Sequence, residues 1–147
     1  RLHLLRPRVL VYGSIILLLV IAFVSSLAMR NPLRVDVIRD RGVLGREVAG
    51  GMIENVYRLQ LINTSDSAMR LRLSAQGIPG LTVIAGRDGN DVIEVEAAAN
   101  TLIPVVIRAP SGAAAHGSHP ITVSARTEGQ AGPTINVDEA ASFYIPE

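Results

Sequence analysis

Residues 9–29, VLVYGSIILLLVIAFVSSLAM, run for 21 positions without a charge, and Arg8 and Arg30 bracket them. A helix of this length is roughly 32 Å long, which matches the roughly 30 Å hydrocarbon core of a bilayer. A soluble helix of the same length would show a polar face, and here only Ser14, Ser25 and Ser26 interrupt the apolar surface. Tyr12 lies near one end, where an amphipathic ring suits the headgroup level. The sequence therefore predicts one transmembrane helix over 9–29, preceded by a basic flank at 1–8 and followed by a soluble domain at 30–147. Ser26-Leu27-Ala28 also has the small-residue spacing of a signal-peptidase site, but the apolar run exceeds the 7–15 residues usual for a signal peptide. The chain begins at Arg rather than Met, which points to a fragment.

Charge divides unevenly along the chain. Arg1, Arg6 and Arg8 precede the apolar run with no acid, which favours a cytoplasmic N-terminal flank and a domain outside the cytoplasm. In a bacterium that means the inner membrane with a periplasmic domain. Residues 30–147 carry 11 arginines against 13 acids, a net −2, with few aromatics, so nucleic acid is not an expected partner. The chain has no cysteine, which excludes disulfides, thiolate nucleophiles and Cys-ligated clusters or zinc.

From Leu33 onward the apolar period is two. Leu33, Val35 and Val37 alternate with Arg34 and Asp36, and Tyr57, Leu59 and Leu61 with Arg58 and Gln60. Leu71, Leu73 and Ala75 follow, then Ile93, Val95 and Ala97, Val105 and Ile107, Ile121, Val123 and Ala125, and Phe143 with Ile145. Such alternation gives strands with one buried and one wet face. Turn signals separate the runs: Asn63–Ser67, Gly77–Gly80, Arg87–Asn90, Ala97–Asn100, Ala109–Gly112 and Gly129–Pro133. The pattern predicts an all-β, immunoglobulin-like antiparallel sandwich of seven or eight strands behind one helix. Residues 41–53, with Gly42, Gly45, Gly50 and Gly51, suit a loop or a glycine-broken hairpin.

Two segments of this pattern, Asn31-Pro32-Leu33-Arg34-Val35-Asp36-Val37-Ile38-Arg39-Asp40-Arg41-Gly42 and Ile53-Glu54-Asn55-Val56-Tyr57-Arg58-Leu59-Gln60-Leu61-Ile62-Asn63, carry a resemblance. With Arg6-Pro7-Arg8 before the span and Gly80-Leu81 after Pro79, they resemble the C-terminal end of the FixG/CcoG/RdxA cytochrome c oxidase accessory proteins. The resemblance implies a last membrane span and a periplasmic immunoglobulin-like domain. It further implies a cytoplasmic ferredoxin-like region upstream, with 4Fe-4S clusters and a role in copper handling for cbb-type oxidase. None of that family's cluster cysteines falls in this chain, so no cofactor is expected within it. The expected role is a non-enzymatic accessory domain, with the lipid bilayer, cbb-type oxidase subunits or copper-delivery proteins as partners.

Sites read from the residues alone are sparse. His116 and His119 in Ala115-His116-Gly117-Ser118-His119-Pro120 form an HxxH pair that would offer two imidazoles to copper, the alternative function for this domain. Two ligands fall short of the three or four of a convincing site, and Gly117 with Pro120 mark an exposed turn. Met29, Met52 and Met69 are too widely spaced for a thioether site, and no G-x-S-x-G elbow occurs. No catalytic, cofactor or metal residue is therefore expected. Asp36, Arg39, Asp40 and Arg41 offer either a docking surface or an ordinary charged strand end. Glu94 and Glu96 share the wet face of one strand, and Asn63-Thr64-Ser65 fits a glycosylation acceptor but equally suits a turn. An envelope domain unrelated to respiration is a third reading, because this fold hosts many functions.

Overall fold

In the computed structural model, which describes residues 6–39, 45–86, 88–129 and 132–147, the chain falls into two compact units, Arg1–Asn31 and Pro32–Glu147. Asp40, Arg41, Gly42, Arg87, Gln130 and Ala131 of the segments above lie outside the described residues.

The first unit holds helix α1, Pro7–Ala28. Pro7 sits in the first turn, where its missing N–H has no intrahelical partner to lose. No residue of the helix is buried by the chain itself, and its mean hydropathy reaches 2.6, so it is long and apolar enough to cross a membrane. Ser14 returns its hydroxyl to the Leu10 carbonyl at 2.7 Å, so this polar group needs no water.

The second unit is built of nine strands among the described residues. They are β1 (Leu33–Arg39), β2 (Arg46–Val48), β3 (Met52–Asn63), β4 (Met69–Gln76), β5 (Thr82–Ala85), β6 (Val92–Val95), β7 (Asn100–Pro110), β8 (Gly117–Thr127) and β9 (Asn136–Ile145). One sheet runs β1-β3-β7-β5 with β2 also on β3, and the other runs β6-β4-β8-β9. All pairings are antiparallel. The predicted all-β sandwich is thus the observed fold, and β2 and β5 join the seven runs that alternation marked. Residues 46–54 form a hairpin whose turn carries Gly50 and Gly51 at φ 87° and 67°, values that side chains rarely adopt.

The core follows the period-two pattern. Tyr57, Leu59 and Leu61 of β3, Leu71 and Leu73 of β4, Val105 and Ile107 of β7, Val123 of β8 and Phe143 of β9 are buried between the sheets. Pro104 and Pro120 occur inside strands without breaking them. Each sits where its strand is paired on one side only: β5 covers only residues 105–108 of β7, and β4 only 122–127 of β8. A residue with no N–H to donate is tolerated there.

The register makes a sharp contrast between neighbours. Leu59 is fully buried, whereas Leu102, beside its partner Ile103, is 55% exposed. Leu59→Ala is expected to cost about 3 kcal/mol and Leu102→Ala less than about 0.5 kcal/mol, read from urea unfolding midpoints.

Candidate functional site

Polar groups collect on β3, within one of the two segments that carried the family resemblance. Asn55 shares the inward face with Ile53 and Tyr57, and an amide at such a position must find internal partners. It donates from Nδ2 to the Tyr144 carbonyl at 2.8 Å and accepts at Oδ1 from the Tyr144 N–H at 3.1 Å. One side chain thereby pairs with the backbone of β9, an edge strand of the other sheet, as a neighbouring strand would. Two residues on, Tyr57 donates its hydroxyl to the Ser142 carbonyl at 2.8 Å, again across the sheets. Burial pushes the Tyr57 phenol up to about 12, partly countered by the nearby Arg39 charge. Arg39 itself stacks over the Tyr144 ring, 5.9 Å from its centroid. Gly45 passes so close to the Tyr144 carbonyl that a Cβ there would collide with it, which explains one glycine of the 41–53 segment.

Glu54 faces away from the core yet is only 2% exposed. Its cover comes from both neighbouring strands, because register sets Arg46 of β2 and Arg108 of β7 opposite it. Arg46 Nη2 lies 2.6 Å from Oε1, and Arg108 Nη2 lies 2.9 Å from Oε2. Burial raises the carboxyl, but the hydrogen bonds and charges of Arg46 and Arg108 outweigh it and hold Glu54 below its ordinary 4.5. The arginines stay partly in water, so the triad fastens the short β2 strand without stranding a charge. At the far end of β3, Asn63 is 1% exposed. Its Nδ2 donates to Ser67 O and Glu96 O, and its Oδ1 accepts from the Ser65 N–H and hydroxyl. The Asn63-Thr64-Ser65 acceptor pattern is therefore a turn, with its amide occupied and out of reach.

The expected site residues fall elsewhere. His116 precedes β8 and His119 lies within it, so Gly117–Pro120 form the start of a strand and not the exposed turn expected. His116 Nδ1 contacts the Pro146 carbonyl at 2.6 Å, and His119 Nε2 the Ala115 carbonyl at 2.6 Å. Among the described residues no group of three or more His, Asp or Glu is placed to hold a metal ion. Met69 is in the core, while Met29 is 86% exposed. Glu94 and Glu96 are exposed, as alternation predicted. Of the charged segment past the helix, Asp36 faces solvent and Arg39 turns toward Tyr144. Every buried side-chain N or O among the described residues has a hydrogen-bond partner.

Sequence reasoning missed Glu54, Asn55, Arg46 and Arg108 as a working group. Asn55 left a signal, a polar residue in phase with Ile53, Tyr57 and Leu59. Glu54 left none, because its burial depends on strand register.

Two antiparallel sheets facing each other, closed by polar side chains and preceded by an apolar helix, define an immunoglobulin-like domain behind a hydrophobic segment. The chain belongs to the FixG C-terminal family: residues 23–146 match the family model described as "IG-like fold at C-terminal of FixG, putative oxidoreductase". Nitrogen fixation protein FixG of Rhizobium meliloti (strain 1021) is 30% identical over 112 residues, 73% of this chain and 21% of that protein. The chain thus spans about a fifth of that relative's length. A crystal structure of a FixG-related protein from Vibrio parahaemolyticus matches at TM-score 0.63 and 20% identity, covering 78% of this chain and 97% of that one. That likeness shows the shared fold.

Two outcomes follow from the polar row. Asn55→Ala leaves the Tyr144 N–H and carbonyl without partners and is expected to cost about 2 kcal/mol or more in urea unfolding. Glu54 binds its proton less tightly folded than unfolded, so its stabilisation is full above 4.5 and is lost as pH falls through the lower folded value. Glu54→Gln is therefore expected to lose less stability than the parent between about pH 6 and about pH 3, measured as the shift in urea midpoint.

Proposed function

We propose that this chain is the membrane-anchored, non-redox end of a FixG-type accessory protein, and that it acts by position and contact. In this reading Pro7–Ala28 crosses the bacterial inner membrane and the sandwich lies on the periplasmic side. The sandwich holds the protein beside cbb-type cytochrome c oxidase subunits or a copper-delivery protein during oxidase maturation. Family membership over residues 23–146 supports it most directly. The chemistry of the chain agrees: the polar side chains that a site would use on β3 are engaged in joining strands and sheets. The 4Fe-4S clusters that the family resemblance implies take thiolate ligands, and this chain has no cysteine, so its residues do not fit them. Any cluster chemistry belongs to the part of such a protein that this chain does not cover.

The test is affinity purification from bacterial membranes through a tag on the N-terminal side of α1, with and without residues 32–147 in the tagged protein. Oxidase subunits or a copper carrier should co-purify when the sandwich is present and fall away, with lowered membrane oxidase activity, when it is deleted. Equal recovery and equal oxidase activity from both would contradict the proposal.

A further inference from the structure

The outward face of the five-stranded sheet is only partly polar. Strand pairing sets Ile38, Arg58 and Pro104 in one row across it, Asp36, Gln60 and Leu102 in the next, and Val56 with Val106 on the other side of the Arg58 row. Past α1 and Met29, Ile38 at 47% and Leu102 at 55% are the exposed large hydrophobics among the described residues, and both stand here. One exposed apolar side chain means little; here Ile38 of β1 and Leu102 with Pro104 of β7 stand on one face, on either side of Arg58 and Gln60 of β3. Arginines outnumber acids around it. Arg34 lies in the row beyond Asp36, while Glu54 at the opposite end is neutralised between Arg46 and Arg108. Guanidinium forks match phosphate oxygens, and an anionic lipid surface attracts such groups at short range.

The length of the chain between helix and sheet singles out the occupant. Only residues 29–32 separate Ala28 from Leu33, the first residue of β1, and β1 contributes Arg34, Asp36 and Ile38 to this face. Fully extended, those residues reach at most roughly 17 Å. With Pro7–Ala28 spanning the membrane, the start of β1 can never leave the neighbourhood of the lipid headgroups. A surface tethered so closely meets the bilayer at high effective concentration, and weak contacts then suffice.

We propose that the outward face of the β1-β3-β7-β5 sheet lies against the bilayer surface, with Ile38 and Leu102 entering the headgroup layer and Arg34 meeting anionic phospholipid phosphates. The inference rests on the membrane-spanning reading of α1. It gives the domain a fixed orientation, with the outer face of the β6-β4-β8-β9 sheet turned to the aqueous phase and to partners.

The chain has no native cysteine, so single cysteines carry nitroxide labels without further changes. Leu102→Cys reports the proposed face, Ser74→Cys the exposed outer face of the other sheet, and Leu18→Cys the helix. The full chain is reconstituted in vesicles containing phosphatidylglycerol, and label accessibility is measured to oxygen, which enters the bilayer, and to a water-soluble nickel chelate. The Leu102 label is expected to show a severalfold higher oxygen-to-nickel ratio than the Ser74 label, and the ratio should fall in purely zwitterionic vesicles. A Leu102 ratio equal to that of Ser74, with Leu18 deep in lipid, overturns the inference and leaves the span standing. A Leu18 label exposed to nickel overturns both. A Leu102 label shielded from both reagents means that protein covers the face and overturns the lipid assignment. A ratio unchanged in zwitterionic vesicles overturns the role of anionic phosphates.

Discussion

One side-chain amide, Asn55 on β3, joins the first sheet to β9, the edge strand of the second. It presents a donor and an acceptor to the Tyr144 backbone, at 2.8 and 3.1 Å, in the place where a further strand would otherwise pair. Edge strands with free N–H and carbonyl groups invite unwanted pairing, and proteins usually cover them. Here the cover comes from side chains. Tyr57 takes the Ser142 carbonyl, Arg39 lies over the Tyr144 ring, and Gly45 lets the backbone come close to the Tyr144 carbonyl. Core packing supplies the bulk of the stabilisation, but packing is non-directional. The directed bonds on β3 specify which edge of the second sheet meets the first.

That arrangement bears on what the domain does. The segment Ile53–Asn63 is one of the two that carry the family resemblance, and its polar residues are structural: an ion triad around buried Glu54, inter-sheet bonds at Asn55 and Tyr57, and a turn hub at Asn63. Function is then sought on the surfaces the sandwich presents and in the short link to an apolar helix, which is the basis of the accessory role proposed above.

Much of the fold was legible because burial on one face imposes a period of two. The runs around Leu33, Leu59, Leu71, Val95, Val105, Val123 and Phe143 are the strands β1, β3, β4, β6, β7, β8 and β9. The two strands that alternation did not mark have local reasons. β2 is three residues between glycines, too short to show a period, and β5 reads Thr82-Val83-Ile84-Ala85, with both central residues half-buried on opposite faces. Gly117 and Pro120 carry turn chemistry yet begin β8, because that stretch pairs only with β9 and can spare an N–H. Asn55 was visible as a polar residue in an apolar phase. The burial of Glu54 was not, since Arg46 and Arg108 reach it only through a register set by the whole sheet.

The most direct measurement is amide hydrogen exchange at Tyr144 in the intact chain. If the Asn55 amide substitutes for a missing strand, the Tyr144 N–H should exchange as slowly as amides bonded between β8 and β9, although Tyr144 stands on the edge strand of its sheet. Exchange as fast as that of an open, solvent-facing edge would show that the sheets are not joined there, and that the polar row on β3 serves some other purpose.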